Sequence, residues 1–162
     1  MKQVISWLVT LLSVWISSPA GGGGLWLYEA GTPDLGTAAA GRAALASDAS
    51  TAGANPAGMT RLERSQMLAA FQGIYINTRI EVDVADFGGG GGGNAGGFVP
   101  SGSLHYVQSL TPDWKLGISV GSYFGLGADY DEAWAGRYYT TEAELLTFGV
   151  NPGAGYRVNN WL

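Results

Sequence analysis

From residue 115 onward the chain reads in twos. The even positions Leu116, Ile118, Val120, Ser122, Phe124 and Leu126 are mostly apolar, and the odd positions Lys115, Gly117, Ser119, Gly121, Tyr123 and Gly125 are mostly small or polar. A period of two places the sets on opposite faces of an extended strand, whereas a helix needs apolar residues three and four apart. The pattern recurs nearer the C-terminus. There Leu146, Phe148, Val150, Ala154, Tyr156 and Val158 oppose Thr147, Gly149, Asn151, Gly153, Gly155 and Arg157. A weaker split sets Leu104, Tyr106 and Leu110 against Ser103, His105 and Ser109. In residues 68–84, Ile74, Ile76, Ile80 and Val82 oppose Tyr75, Asn77, Arg79 and Glu81. The expectation is an all-β chain with roughly four strands, each with one apolar face.

The connections alternate between short and long. Thr111-Pro112-Asp113 is a tight turn in which proline presets φ, and Asn159-Asn160 reads as the next turn on the same side. Residues 86–100 and 129–142 are long loops, the first glycine-rich and the second polar and aromatic. Short turns opposite long loops mark outer-membrane barrels, with the short turns periplasmic. On that reading Trp114 and Trp161 belong to one interfacial girdle, and Tyr130, Trp134, Tyr138 and Tyr139 to the other. The competing arrangement is a soluble β-sandwich with one packed face per strand.

Charge favours the barrel. Only 13% of residues are charged, against about 25% in soluble domains, and the chain carries 27 glycines and no cysteine. A chain without cysteine has no disulfide framework. The net charge of −5 speaks against a nucleic-acid partner. The lone histidine, His105, cannot form a metal cluster, and no serine or carboxylate has an evident catalytic partner. No catalytic, cofactor-binding or metal site is expected, and the chain does not read as an enzyme. The glycine run 88–93 lacks the Gly-Lys-Ser/Thr sequence of a phosphate cradle, so it reads as a flexible surface loop.

The N-terminal part carries different information. Lys2, the apolar run of residues 4–16 and the small residues Ser18-Pro19-Ala20 predict a cleavable export signal over residues 1–20. The run is too short to span a bilayer core, which needs about 20 apolar residues. Residues 36–62 are rich in alanine, glycine and serine, and read as a compact plug for a narrow interior. Alanines within 37–47 favour one or two helical turns, Asp48 and Ser50 suit caps and turns, and Asn55-Pro56 opens a short helix through Leu62.

Several segments together resemble the FadL-type outer-membrane transporters of hydrophobic compounds. In the plug region these are Leu25-Trp26-Leu27-Tyr28-Glu29, Gly41-Arg42-Ala43, Asp48-Ala49-Ser50-Thr51 and Asn55-Pro56-Ala57-Gly58-Met59. Beyond it they are Gly125-Leu126, Asp129-Tyr130, Trp134-Ala135-Gly136-Arg137-Tyr138 and Tyr156-Arg157-Val158-Asn159. The resemblance implies an antiparallel transmembrane β-barrel of about fourteen strands, plugged by an N-terminal hatch. It implies outer-membrane location and passive passage of hydrophobic cargo, long-chain fatty acids or in some branches aromatic hydrocarbons, with sideways exit beside an inward-kinked third strand. The barrel would be monomeric, with outer-membrane lipid around it. Asn55, Pro56 and Ala57 match the hatch motif, to which gating is carried over. The strand bearing Gly117, Gly121, Gly125 and Gly127 matches the kinked strand in rough position. The expected division is 1–20 signal, 21–64 hatch and 65–162 the first part of the barrel. About four strands cannot close a barrel, which needs at least about eight, so the N-terminal portion of a longer protein is expected. A structural or adhesin-like outer-membrane protein, and a soluble secreted β-protein holding an apolar ligand, are the other two readings.

Overall fold

The computed structural model describes residues 30–123 and 125–159. The expected export signal, Leu25 to Glu29 and the Asn160–Trp161 end lie outside the described residues. Four short helical turns come first: 3-10 turns at Pro33–Thr37 and Pro56–Arg61, and single α-turns at Arg42–Leu45 and Thr51–Ala54. Six strands follow: β1 (Gln66–Tyr75), β2 (Phe98–Ser109), β3 (Trp114–Gly121), β4 (Gly125–Asp129), β5 (Glu142–Leu146) and β6 (Gly149–Tyr156).

The strands form an antiparallel four-stranded sheet in the order β1-β2-β3-β6 and a separate β4-β5 pair. The pair is an interrupted continuation of β3 and β6. Gly121 lies opposite Gly149, and the ladder resumes with Gly125 opposite Leu146. Three residues therefore face two across the break, as in a bulge. No described helix is long and apolar enough to cross a membrane, which says nothing about crossing by strands.

The two faces of the sheet are inverted relative to a soluble protein. Leu104, Tyr106, Leu116, Ile118 and Val150 are exposed on one face, while Ser103, His105, Lys115 and Ser119 are buried on the other. The helical turns cover the polar face. Met59, Ala49, Ala52, Leu62 and Val107 form the buried cluster between them, with Leu68 packed against it. The second face meets no protein among the described residues, and its side chains suit a lipid wall.

Two expectations need correction. The first strand ends at Tyr75, and its outward face carries Met67, Phe71 and Tyr75 with Phe71 90% exposed, whereas Ile74 points inward. Ile80 and Val82 lie past the strand's end. Second, the glycine run 88–93 is held, not loose. Gly90 bridges to Trp134, the Ala135 amide donates to the Gly90 carbonyl, and Arg137 donates to the Phe87, Gly88 and Trp134 carbonyls. A Cβ on Gly92, where φ is +76°, would meet Trp134 Cβ at 2.7 Å. In the second long loop, Trp134 stacks on Tyr130 at 4.0 Å, and its Nε1 donates to the Thr140 carbonyl. These two rings pack against Gly92 of the glycine run and so join the two loops.

Candidate functional site

The seam between the plug and the polar face of the sheet brings the sequence's singular residues together. The second 3-10 turn begins where Asn55, at φ −155°, ends the preceding helical turn and Pro56 takes the first position of the next. Asn55 Nδ2 donates to the Ala43 carbonyl at 2.7 Å, and the Asn55 carbonyl accepts from the Gly58 amide and the Thr51 hydroxyl. Arg61 Nη1 reaches the Ala44 carbonyl. Asn55 and Arg61 thus tie the last part of the plug to the turn carrying Arg42. Ala57 contributes a carbonyl to the Thr60 hydroxyl.

The plug sits close to the wall because the wall lacks side chains there. A Cβ on Gly117 would run into Met59 Sδ and lie 3.0 Å from Ala52 Cβ; one on Gly155 would lie 2.8 Å from the Pro56 carbonyl oxygen. Gly153 likewise faces Pro56. The contact is reciprocal, since a Cβ on Gly53 of the plug would meet Ser119 Oγ at 2.6 Å. Arg157 Nη2 closes the seam by donating to the Thr60 carbonyl. Of the other glycines singled out, Gly121 and Gly125 flank the interruption between β3 and β4, and Gly127 has open space beside it.

A cavity of about 510 Å³ remains where plug and wall separate. Ala38, Ala39, Ala43, Ala44 and Ala54 make much of its lining, with Arg42 on the plug side and His105 and Tyr123 on the wall. Ala38 and Ala39 hold φ of 52° and 61°, the left-handed region that costs about 1–2 kcal/mol per residue. The lining is therefore made by a strained turn that other packing must hold in place.

Its polar groups are few. Arg42 Nε lies 2.5 Å from Asp34 Oδ2, and Arg42 Nη2 reaches Asp34 Oδ1 at 3.0 Å and the Thr32 hydroxyl at 2.9 Å. The Arg42 guanidinium holds the Asp34 carboxyl below the ordinary carboxylate range, against an opposing push from partial burial. The same pairing raises Arg42. His105 is 2% exposed, and neither ring nitrogen has a hydrogen-bond partner among the described residues. Its register partner Ser119 shares a hydrogen bond with the Tyr123 hydroxyl at 2.7 Å. A buried imidazole without partners is expensive, so His105 brings unused hydrogen-bonding capacity to the cavity wall.

Asn55-Pro56-Ala57 is visible in the sequence as a turn, but the Arg42–Asp34 pair and the burial of His105 are not. The signal for His105 was its place among small residues on the inner face of β2. Among the described residues no group of His, Cys, Asp or Glu could hold a metal ion.

Residues 13–162 match the model of a family described as outer membrane protein transport protein (OMPP1/FadL/TodX). The chain is 29% identical over 148 residues to the long-chain fatty acid transport protein of Escherichia coli O6:H1, covering 90% of this chain and 33% of that protein. It is 27% identical over 181 residues to outer membrane protein P1 of Haemophilus influenzae, covering all of this chain and 39% of that protein. A solved structure, a Pseudomonas aeruginosa FadL homologue, superposes with a TM-score of 0.66 at 21% identity, over 85% of this chain and 35% of that one. The chain thus spans about a third of the length of the relatives it matches. The fold is a portion of an antiparallel outer-membrane β-barrel, and the chain belongs to the OMPP1/FadL/TodX family.

Proposed function

We propose that the complete protein lets hydrophobic compounds, long-chain fatty acids foremost, cross the outer membrane by passive diffusion through a plugged barrel. One observation carries the reading: a small-residue plug covers one face of a lipid-suited wall, and between them lies an alanine-lined cavity with one paired cation and an unpartnered histidine. Such a cavity suits a long apolar body with a single polar head. The similarity to fatty acid transport proteins supports the same cargo. In this reading residues 1–20 direct export, 21–64 form the hatch, and 65–162 begin a monomeric barrel set in outer-membrane lipid. The protein performs no chemistry on its cargo.

Gating falls to Asn55, Pro56 and Ala57, because their turn carries Met59 and Thr60 onto β3 and β6. Sideways exit falls to the strand of Gly117, Gly121, Gly125 and Gly127, whose ladder is interrupted between Gly121 and Gly125. The test is uptake of labelled oleate by cells making the complete protein, with Asn55→Ala and Pro56→Ala variants normalised to heat-modifiable barrel in the membrane. Gating predicts altered uptake per assembled barrel. A constant ratio refutes gating, and no uptake above barrel-free cells refutes transport. The adhesin-like alternative draws on exposed Phe87, Tyr138 and Tyr139 in the joined loops. Trimming those rings would then abolish surface adhesion and leave uptake intact.

A further inference from the structure

A second cavity, about 480 Å³, opens beneath the plug at the short-turn end of the sheet. Arg61, Lys115 and Arg157 line it together with Glu63, and Leu62, Leu110 and Pro112 give it apolar walls. Lys115 is 1% exposed, the largest fully buried side chain among the described residues, on the face it shares with Ser103, His105, Val107 and Ser119. Its Nζ donates to Ser109 Oγ at 2.5 Å. No carboxylate lies within 4.0 Å of it among the described residues, where the only ion pair is Arg42–Asp34. Arg61 and Arg157 donate to backbone carbonyls of the plug, which are neutral.

An ammonium carries three donors, and lysine is almost never fully buried unless paired. Here an enclosed positive charge has one neutral acceptor, and two arginines line the same space with Glu63 as the one carboxylate, which makes no ion pair within 4.0 Å among the described residues. The cavity under the alanine-lined one differs in this respect, since Arg42 above is already neutralised by Asp34. The lower space carries three cations against one carboxylate beside apolar walls, which is the chemistry that holds a small anionic head on an aliphatic chain.

We infer that this lower cavity is an anion site that receives the carboxylate of an amphiphilic cargo at the periplasmic base of the plug. Lys115 gives it a charge-assisted hydrogen bond, Arg157 offers a second donor, and Leu62, Leu110 and Pro112 take the adjoining methylenes. The inference rests on the proposed transport of fatty acids and adds a stopping place that a neutral cargo would lack.

The test uses the complete protein purified in uncharged detergent, with laurate labelled at its carboxyl carbon and dodecanol as the neutral probe of equal length. Two laurate molecules and one dodecanol are expected per wild-type barrel. Lys115→Met, which replaces the buried charge by an apolar side chain of similar length, should weaken the second laurate by about tenfold or more, the loss expected for a charge-assisted hydrogen bond. Lys115→Arg should retain it, and added chloride should compete for that laurate alone. Unchanged laurate binding in Lys115→Met, or a lower site filled as well by dodecanol, overturns the inference. One laurate in wild type overturns it while leaving transport intact, as when a carboxylate elsewhere in the barrel already occupies Lys115. Binding of neither probe overturns both. Should Lys115→Met fail to assemble, the chloride competition and the Lys115→Arg arm decide alone.

Discussion

The two faces of the four-stranded sheet are made by the same strands and obey opposite rules. Outward, Met67, Phe71, Leu104, Leu116 and Val150 are exposed; inward, Ser103, His105, Lys115 and Ser119 are enclosed. In water this would be an inside-out protein. The contrast shows that the apolar effect is satisfied by surroundings on one side, while plug and wall meet through missing side chains and hydrogen bonds on the other. Stability on the outer face is a matter of solvent; on the inner face it is a matter of fit.

The largest effect should separate the faces directly. Ile118→Arg places a charge on the outer face and, near the bilayer midplane, should cost roughly 2–4 kcal/mol in reversible unfolding from vesicles. Its inner neighbour Ser119→Asn should cost far less, and equal losses would dissolve the distinction. Next, Gly117→Leu tests fit. The added side chain collides with Met59 and Ala52, and overpacking of about 1–3 kcal/mol should appear as a plug released to protease with the barrel intact. Gly127→Ala, with open space beside it, should change neither measurement.

Smaller still, Asn55→Ala removes the bond to the Ala43 carbonyl, worth about 0.5–1.5 kcal/mol. Hydrogen exchange in the plug should rise while β2 and β3 amides stay protected. The smallest effect is pH-dependent. Asp34 is depressed by Arg42, so its contribution is complete above the unfolded carboxylate range and disappears as pH falls through its lowered folded value. The part of plug protection that Asp34→Asn removes should therefore be flat near neutrality and disappear only in acid, read as the difference between wild type and variant across pH. A fall near neutral pH would point to another group.

Much of the wall was legible because alternation is local. The faces of β2 and β3, the Thr111-Pro112-Asp113 turn and the loop bounded by Asp129 and Glu142 follow from nearest neighbours in sequence. The Leu110 and Thr111 amides both reach the Trp114 carbonyl, closing that turn as proline at its centre suggests. What failed depended on distant partners. Ile74, Ile80 and Val82 suggest an outward face for the first strand, but Ile80 and Val82 follow Tyr75, where the chain has left the ladder. The glycine run is loose by composition and held by residues 134–137, some forty-five positions away. In the site, Asn55-Pro56 shows itself by turn chemistry. Arg42–Asp34 and the isolation of His105 depend on how the plug seats, which no single segment encodes.

The break between β3 and β4 changes the parity of the ladder. Val120 shares a face with Val150, but Leu126 is paired with Leu145, and Leu146 with Gly125. Even and odd exchange roles relative to the partner strand, so Leu126 and Leu146 cannot both continue the faces they hold in a simple alternation. The discontinuity is a matter of count, with one surplus residue on one side. Substitutions that keep the count should keep the break. A one-residue deletion at Ser122 should let the ladder run on unbroken, turning a wall with a fault line into a seamless one.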